Sequence, residues 1–382
     1  MRPKIMHRRW LGVLIQLTFL TQTYFAHAEK TRFDLTQLKA PPGFHISVFA
    51  EDVDSARMLV FSPGGALLVS ESGEGKVVAL PDSKHTGKAE RTVTVLNGLN
   101  EPHGLAFYQG KLYVAENDKL RRYDWDERNL RASNPVKIAD LPDGGGHSTR
   151  SIVFRGGKMY VSAGSSCNVC VEKDERRAAV MEFNPDGTGQ KIFAKGLRNA
   201  VGIAVNPKTD TVWVTVNGRD MLGDDIPPET IYDLGKEGGD AGWPYCYGDR
   251  VPDTKFSESA PEHCKSVLQP KVQMQAHSAP LGLAFYEGSD FPAEYRNNIF
   301  VAFHGSWNRS VPTGYKVVRV KLDDKGQPQA GAQDFITGWL APGETKRGRW
   351  MGRPVGIAFD NDGTMYVSDD AGGVIYRITH SM

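Results

Sequence analysis

Apolar residues fall in short runs along the chain, broken by turns rich in Gly, Pro, Asn and Asp, and one arrangement of these runs occurs six times. Each copy opens on a run ending in Phe or Val: Arg57-Met-Leu-Val-Phe61, Gly104-Leu-Ala-Phe107, Ser151-Ile-Val-Phe154, Gly202-Ile-Ala-Val205, Gly282-Leu-Ala-Phe285 and Gly356-Ile-Ala-Phe359. A turn then leads to a second run, such as Ala66-Leu-Leu-Val-Ser70, Thr211-Val-Trp-Val-Thr215 or Thr364-Met-Tyr-Val-Ser368. Several copies add a third run, among them Val77 to Leu80, Val180 to Phe183 and Val374 to Ile378. Alternating apolar positions between such turns predict strands joined by hairpins. The first interval, Phe61 to Phe107, is 46 residues, and the next are 47, 51, 80 and 74. A base period of about 45 suits one four-stranded blade per copy. The two long intervals place insertions around residues 220–277 and 330–352. No amphipathic helix of any length is evident. The pattern predicts an all-β fold, a single six-bladed β-propeller over residues 29–382. The run Phe44 to Ala50 precedes the first copy, and the sixth copy ends after three strands. Pairing of this N-terminal strand with the last blade would close the ring and hide its edges.

Composition narrows the setting. The 382 residues carry a formal charge of +1, with 40% hydrophobic and 24% charged positions. That is ordinary for a globular protein, and without a basic excess nothing points to a nucleic acid partner. Residues 1–28 read as a signal peptide: Arg2, Lys4, Arg8 and Arg9, the apolar run Leu11 to Leu20, then the small-residue site Ala26-His27-Ala28. The run falls short of the roughly 20 apolar residues that span a bilayer. Cleavage removes four positive residues and no acidic one, taking the charge from +1 to −3. No other stretch is apolar enough for an integral membrane segment, so the expected location is periplasmic or secreted. All four cysteines follow the leader, and an even number outside the cytoplasm suggests disulfides. Three pairings are possible. Cys167 and Cys170 are near enough for a local bridge, and Cys246 and Cys264 would then close a loop across the first insertion. A Cys-x-x-Cys pair also serves redox or metal chemistry, but this one follows a strand rather than opening a helix. No His follows Cys170, so haem attachment is not indicated.

Candidate chemistry appears at one repeated position, just before each innermost strand. The residues there are Arg57; Pro102-His103; His147-Ser148-Thr149-Arg150; Arg198-Asn199; His277-Ser278; and Arg353-Pro354. A propeller gathers these positions at one end of its central channel. Imidazole and guanidinium groups collected there predict an anionic ligand. Asp220, Asp224 and Asp225 lie on the first insertion, as calcium ligands or as a solvated loop.

At these residues the chain resembles the soluble PQQ-dependent sugar dehydrogenases, the glucose/sorbosone dehydrogenase family, over Pro41 to His380. The likeness is carried by Gly145-Gly-His-Ser-Thr-Arg150, Gly196-Leu-Arg-Asn-Ala200, Gly242-Trp-Pro244 and His304-Gly-Ser-Trp-Asn-Arg309, the last closest to the sorbosone-type branch. The resemblance implies a PQQ and Ca²⁺ enzyme that oxidises an aldose or sugar aldehyde at C1 to a lactone. His147 would be the general base, and Arg353 would lie near the reacting quinone oxygen. Arg198, Asn199 and Asn217 would contact PQQ, as would Arg150 and His277 from the same cluster. Carbonyls near Gly218 and Arg219 would hold part of the calcium site. Three positions depart from the family pattern. The fifth-blade Lys is replaced by His304 or Arg309, the acidic residue before the base is Gly146, and His103 stands where a Gln is usual. Electrons would leave to an external acceptor. A metal-dependent hydrolase resembling lactonases needs carboxylates and Asn at the channel centre, where Arg and His stand instead. A propeller that only binds an anion is the remaining alternative.

Overall fold

The structure, a computed structural model, describes residues 34–381; the expected leader, 1–28, lies outside them. Among the described residues, six sheets of four antiparallel strands surround a central channel, and the third gains a short parallel fifth, Gly239–Asp240, beside Lys191–Lys195. Their innermost strands are Ala56–Phe61, Gly104–Tyr108, Ile152–Arg155, Ala200–Asn206, Pro280–Phe285 and Pro354–Phe359, opening blades 1 to 6. The second strands are Leu67–Glu71, Lys111–Ala115, Lys158–Ala163, Thr211–Val216, Ile299–Phe303 and Met365–Asp369. Every repeated run therefore forms the strand its pattern predicts. Phe44–Ala50 pairs antiparallel with Val374–His380, Phe44 opposite His380, so the N-terminal strand completes blade 6. The two long intervals hold outer strands as well as loops. Val272–Met274 is the fourth strand of blade 4, and Gln333–Ile336 that of blade 5. Between the third and fourth strands of blade 4, a short hairpin and the four-residue helix Ala260–His263 pack around the buried Cys246–Cys264 disulfide. The Cys167–Cys170 bridge is also formed.

Blades stack face to face, and each apolar layer takes residues from two neighbours. Leu68, Val77 and Ala79 of blade 1 meet Leu105, Leu112 and Val114 of blade 2. Trp213 and Ile231 of blade 4 meet Leu283, Val301 and Val318 of blade 5. Phe49 and Ile375 of blade 6 meet Leu67 and Val69 of blade 1, so the last interface is of the same kind as the others.

A second set of contacts joins the blades at the channel. The carbonyl just before the repeat's first Gly or Ser, or before Met58 in blade 1, meets the preceding blade. His103 O accepts from Ser70 Oγ at 2.8 Å, Arg150 O from Gly104 N at 2.7 Å, and Val201 O from Ser151 Oγ at 2.6 Å. Leu281 O accepts from Thr215 Oγ1 at 2.9 Å, and Arg57 O from Ser368 Oγ at 2.5 Å. The sixth junction is steric: a Cβ on Gly282 would lie 2.5 Å from Val355 O. A Cβ on Gly104 would lie 2.6 Å from Arg150 O, one on Gly356 2.5 Å from Arg57 O, and one on Gly202 closer still to Leu281 O. Glycine recurs in the sequence here because the inner strands approach within a side chain's width.

The inner strands of blades 1, 4, 5 and 6 shift register one or two residues after they begin. Such bulges re-aim side chains and leave a backbone N–H off the ladder. The same hydroxyls take it up: Met58 N donates to Ser70 Oγ at 3.0 Å, Gly202 N to Thr215 Oγ1 at 2.8 Å, and Gly356 N to Ser368 Oγ at 2.8 Å. One Ser or Thr thus serves its own bulge and the next blade's carbonyl.

Gly202→Ala should therefore lower stability by about 1–3 kcal/mol, the usual cost of overpacking. Gly331, with nothing within 4 Å of an added Cβ, is the control, and Gly331→Ala should stay within about 0.5 kcal/mol of the parent. Denaturant unfolding of both variants checks this; equal midpoints would show that the inner ring tolerates a methyl group.

Candidate functional site

His147 sits on the loop between blades 2 and 3, and two buried arginines hold that loop from beneath. Arg150 is wholly buried. It donates to His147 O at 3.0 Å, Thr149 O at 2.8 Å, Pro142 O at 2.5 Å and Asn117 Oδ1 at 3.2 Å. Arg177 donates to the carbonyls of Asp143, Gly144, His147 and Gly164. The His147 ring places Nδ1 2.9 Å from Ser165 O and 3.0 Å from Ser165 Oγ. A carbonyl only accepts, so the proton sits on Nδ1 and the lone pair on Nε2. Burial, together with the charge of Arg198, holds His147 down at about 4, against an ordinary 6.5. The ring is a neutral base at physiological pH.

Arg198 and Asn199 enter from the start of blade 4. The Arg198 guanidinium donates to Asp220 Oδ2 and Asn168 Oδ1, both at 2.9 Å, to Asn168 O at 2.9 Å and to Asn217 O at 3.3 Å. Asn199 lies across Gly164 from His147: a Cβ there would be 2.5 Å from Asn199 Oδ1 and 2.6 Å from His147 Cβ. Asn217, after the second strand of blade 4, donates to Pro280 O at 2.8 Å.

A second group forms between blades 5, 6 and 1. Asp370 accepts from Arg57 at 2.8 Å and from His304 Nε2 at 2.9 Å. Burial pushes its carboxyl up, but these partners outweigh it and hold it at about 2. His304 is pushed down to about 4 by burial, so it donates as a neutral ring. Arg353 donates to His304 O and Gly305 O, each at 3.2 Å, and lies over the Trp350 ring at 5.5 Å. Carbonyls do not cancel its charge, which stays available to an anion.

Arg57 and Asp370 of the second group line a cavity of about 320 Å³ with Glu101, His103, Ser148 and Thr149, whereas Arg198, Asn217, Gly218 and Arg219 line a separate, smaller one of about 30 Å³. His103 is 1% exposed and points Nδ1 at Arg150 O, 3.2 Å away. Its Nε2 is buried with no partner among the described residues, as are Thr149 Oγ1 and Asn199 Oδ1. Each such atom costs about 1–3 kcal/mol unless something satisfies it. Of these, His103 and Thr149 stand on the cavity wall with Arg57, donors suited to a polar anion, and Glu101 and Asp370 add carboxylates to the same wall.

Other expected residues are differently employed. Rather than lining the cavity, Arg150 has its donors turned onto its own loop. His277 spends both ring nitrogens: Nε2 donates to Gly223 O at 2.8 Å, and Nδ1 accepts from Asn308 at 3.3 Å. Arg309 pairs with Asp225 and Asp224 O on the first insertion. Gly218 N donates to Glu229 Oε2 at 2.7 Å, and the Arg219 side chain pairs with Asp253. Asp220 and Asp224 are bound into the same loop contacts, to Arg198 and Ser310 N. Among the described residues, the metal-ligand grouping Cys167, Cys170 and Glu172 has its cysteines joined to each other. Sequence reasoning did not find Asp370, Asn168, Arg177 or Glu229. For Asp370 a signal exists. It stands three residues after the Val of the second run, where the fourth copy has Asn217 and the fifth His304.

Comparison with known proteins agrees with this architecture. The chain is 30% identical to an uncharacterised protein of Borreliella burgdorferi, over 96% of both chains. It is 25% identical to a pyrroloquinoline quinone-dependent pyranose dehydrogenase of Coprinopsis cinerea, covering 90% of this chain and 54% of that one. The chain thus spans about half of the fungal protein's length. Among solved structures, a calcium structure of a Trichoderma reesei carbohydrate-active enzyme of family AA12 superposes with a TM-score of 0.80. That match is at 22% identity and covers 90% and 97% of the two chains. A family model described as TrAA12-like matches residues 38–381, and with the propeller and its channel-mouth cluster in place, the chain belongs to the TrAA12-like family.

Proposed function

We propose that this protein is a quinoprotein sugar oxidoreductase that oxidises an aldose or sugar aldehyde at C1, giving a lactone from a cyclic aldose. The observation that carries the reading is His147: buried, neutral, its Nδ1 proton fixed on Ser165 and its Nε2 free to act as a base. The activity in the fungal relative's name and the orphaned polar atoms of the cavity support it. Bound at this site, PQQ would supply a two-electron acceptor for the hydride leaving C1. His147 Nε2 would take the proton of the anomeric hydroxyl. Arg353 would stabilise negative charge that develops on the acceptor, and Arg198, Asn199, Asn217, His103 and His304 would orient it. Carbonyls near Gly218 and Arg219 would hold Ca²⁺. Arg150 and His277 serve instead by holding the loops that carry these groups. Electrons would then pass to an external acceptor. Two formed disulfides and the leader-like residues 1–28 support a periplasmic or secreted location.

Reconstitution with PQQ and Ca²⁺, followed by dye reduction across a panel of sugars, tests the reading. His147→Ala should lower kcat by about 10²–10⁴-fold while PQQ binding persists. Hydrolysis of a lactone without PQQ, or full dye reduction by the variant, would refute it. Because His147 is held below 6.5, the acid limb of kcat/KM should also lie below 6.5, activity falling as pH drops and the ring gains a proton. An acid limb at or above 6.5 would show that the ring is not buried as described.

Asp370→Asn tests the second group through stability. A carboxyl held at about 2 when folded, against 3.8, stabilises the fold above about pH 4 and loses that contribution as pH falls toward 2. The variant should be about 2 kcal/mol less stable near pH 7 and approach the parent at the acid end. A difference that does not change with pH would remove Asp370 as the anchor of Arg57 and His304.

A further inference from the structure

The two disulfides differ in setting. Cys246 and Cys264 are each 3% exposed, inside the insertion's own small core. Cys167 and Cys170 are half-buried, on the loop after the second strand of blade 3, within reach of a small reagent. That loop touches both His147 and Arg198.

At one end, Ser165 holds the His147 ring through O and Oγ, and Ser165 Oγ in turn donates to Cys167 O at 2.6 Å. Ser165 N donates to Arg198 O at 2.7 Å. At the other end, Asn168 lies inside the ring that the bridge closes, and it uses every polar atom of its side chain. Oδ1 accepts from Arg198 Nη2 at 2.9 Å and from Asp220 N at 2.8 Å, and Nδ2 donates to Asp220 O at 3.2 Å. Its carbonyl accepts from Arg198 Nε at 2.9 Å. The next carbonyl, Val169 O, is tied to Lys255 of the insertion at 2.7 Å. Such convergence requires one backbone conformation over Ser165 to Cys170, and a short loop without a cross-link has many.

We propose that the Cys167–Cys170 bridge is a positioning device: closed, it holds Asn168 against Arg198 and Ser165 against His147; opened, it frees both and weakens the site. A dithiol reductant would open it. Two electrons and two protons pass to Cys167 Sγ and Cys170 Sγ, which separate as thiols, while the reductant's sulfurs join in its own disulfide. The groups facing His147 are Arg198, Arg150 and Arg177. Arg150 and Arg177 are held by carbonyls outside the bridge and keep their places, whereas Arg198 loses its Asn168 partners. His147 should then gain solvent and feel less of the Arg198 charge.

What the site binds rests on the quinoprotein reading, so the test has one arm independent of it. The full chain without cofactor is titrated by NMR at the His147 ring, oxidised and after mild dithiol treatment. Alkylation and mass analysis confirm that Cys167 and Cys170 alone have opened. PQQ affinity is measured in parallel by calorimetry. In the oxidised protein His147 should titrate well below 6.5. In the reduced protein and in C167S/C170S it should move up by about one unit, with PQQ bound about tenfold more weakly. Asn168→Ala, with both bridges intact, should reproduce both changes. If reduction opens the second bridge or unfolds the chain, Asn168→Ala alone decides. An unmoved His147 titration and unchanged PQQ affinity in that variant would overturn the proposal. A shifted titration in a protein whose oxidised form binds no PQQ would uphold the device and reject the quinoprotein reading.

Discussion

The channel end of this fold depends on the contact between each inner strand's first carbonyl and the blade before it. Apolar layers hold neighbouring blades together but carry no directional contact. The carbonyl contacts fix register. Ser70, Thr215 and Ser368 each satisfy a bulge N–H on their own blade and cap a carbonyl of the next. Twist in one blade is thereby passed to its neighbour, and the last such contact, Ser368 Oγ to Arg57 O, closes the circle. Because the carbonyls belong to residues such as Arg57, His103 and Arg150, the bonds that close the ring also set where the functional loops begin.

How the arginines are held follows from their burial. Arg150 is pushed down to about 10 by burial, and Arg198 and Arg353 are pushed down from the same cause. Several like charges sit around one channel mouth, which is unfavourable unless dipoles compensate. Backbone carbonyls supply most of that compensation: four for Arg177, three for Arg150, two each for Arg198 and Arg353. A carbonyl stabilises a guanidinium without neutralising it. Arg198 and Arg57 pair in addition with the carboxylates of Asp220 and Asp370, so the positive field left at the mouth is that of Arg353 and the loop arginines Arg150 and Arg177, aimed by fixed dipoles.

This also explains what the sequence could show. The blades were legible because strand periodicity and turn residues repeat, and the closing strand because the sixth copy lacks one. His147, Arg198 and Arg353 were legible because they stand at one position of the repeat. Arg150 stood there too, and its different employment was hidden because its partners are mostly carbonyls, which every residue carries and no letter of the sequence records. His277 was hidden for a related reason: its partners Gly223, Ile226 and Asn308 come from an insertion and a neighbouring blade, whose approach no local pattern encodes. Asp370 was within reach of sequence reasoning. The position after each second strand carries Asn117, Asn217, His304 and Asp370 in four of the six copies, and it converges on the mouth as the inner-strand position does.

The mouth is not uniform around its circumference, and the difference bears on where a ligand sits. On the side of blades 3 to 5, a continuous relay runs from His277 through Asn308 and Asp220 to Asn168 and Arg198, each side chain engaged by the next. These side chains are already engaged with one another, so they enter a ligand site pre-positioned. On the side of blades 6, 1 and 2, the cavity is bounded by Arg57, Glu101, His103, Thr149 and Asp370, and His103 Nε2 and Thr149 Oγ1 have no partner among the described residues. Hydrogen bonds formed there are gained outright. His147 stands at the border, its ring fixed from the closed side by Ser165 and followed in the chain by Ser148 and Thr149, which line the open one. The closed side supplies the rigidity and the open side the vacancy, and a base between them meets a ligand without itself having to move.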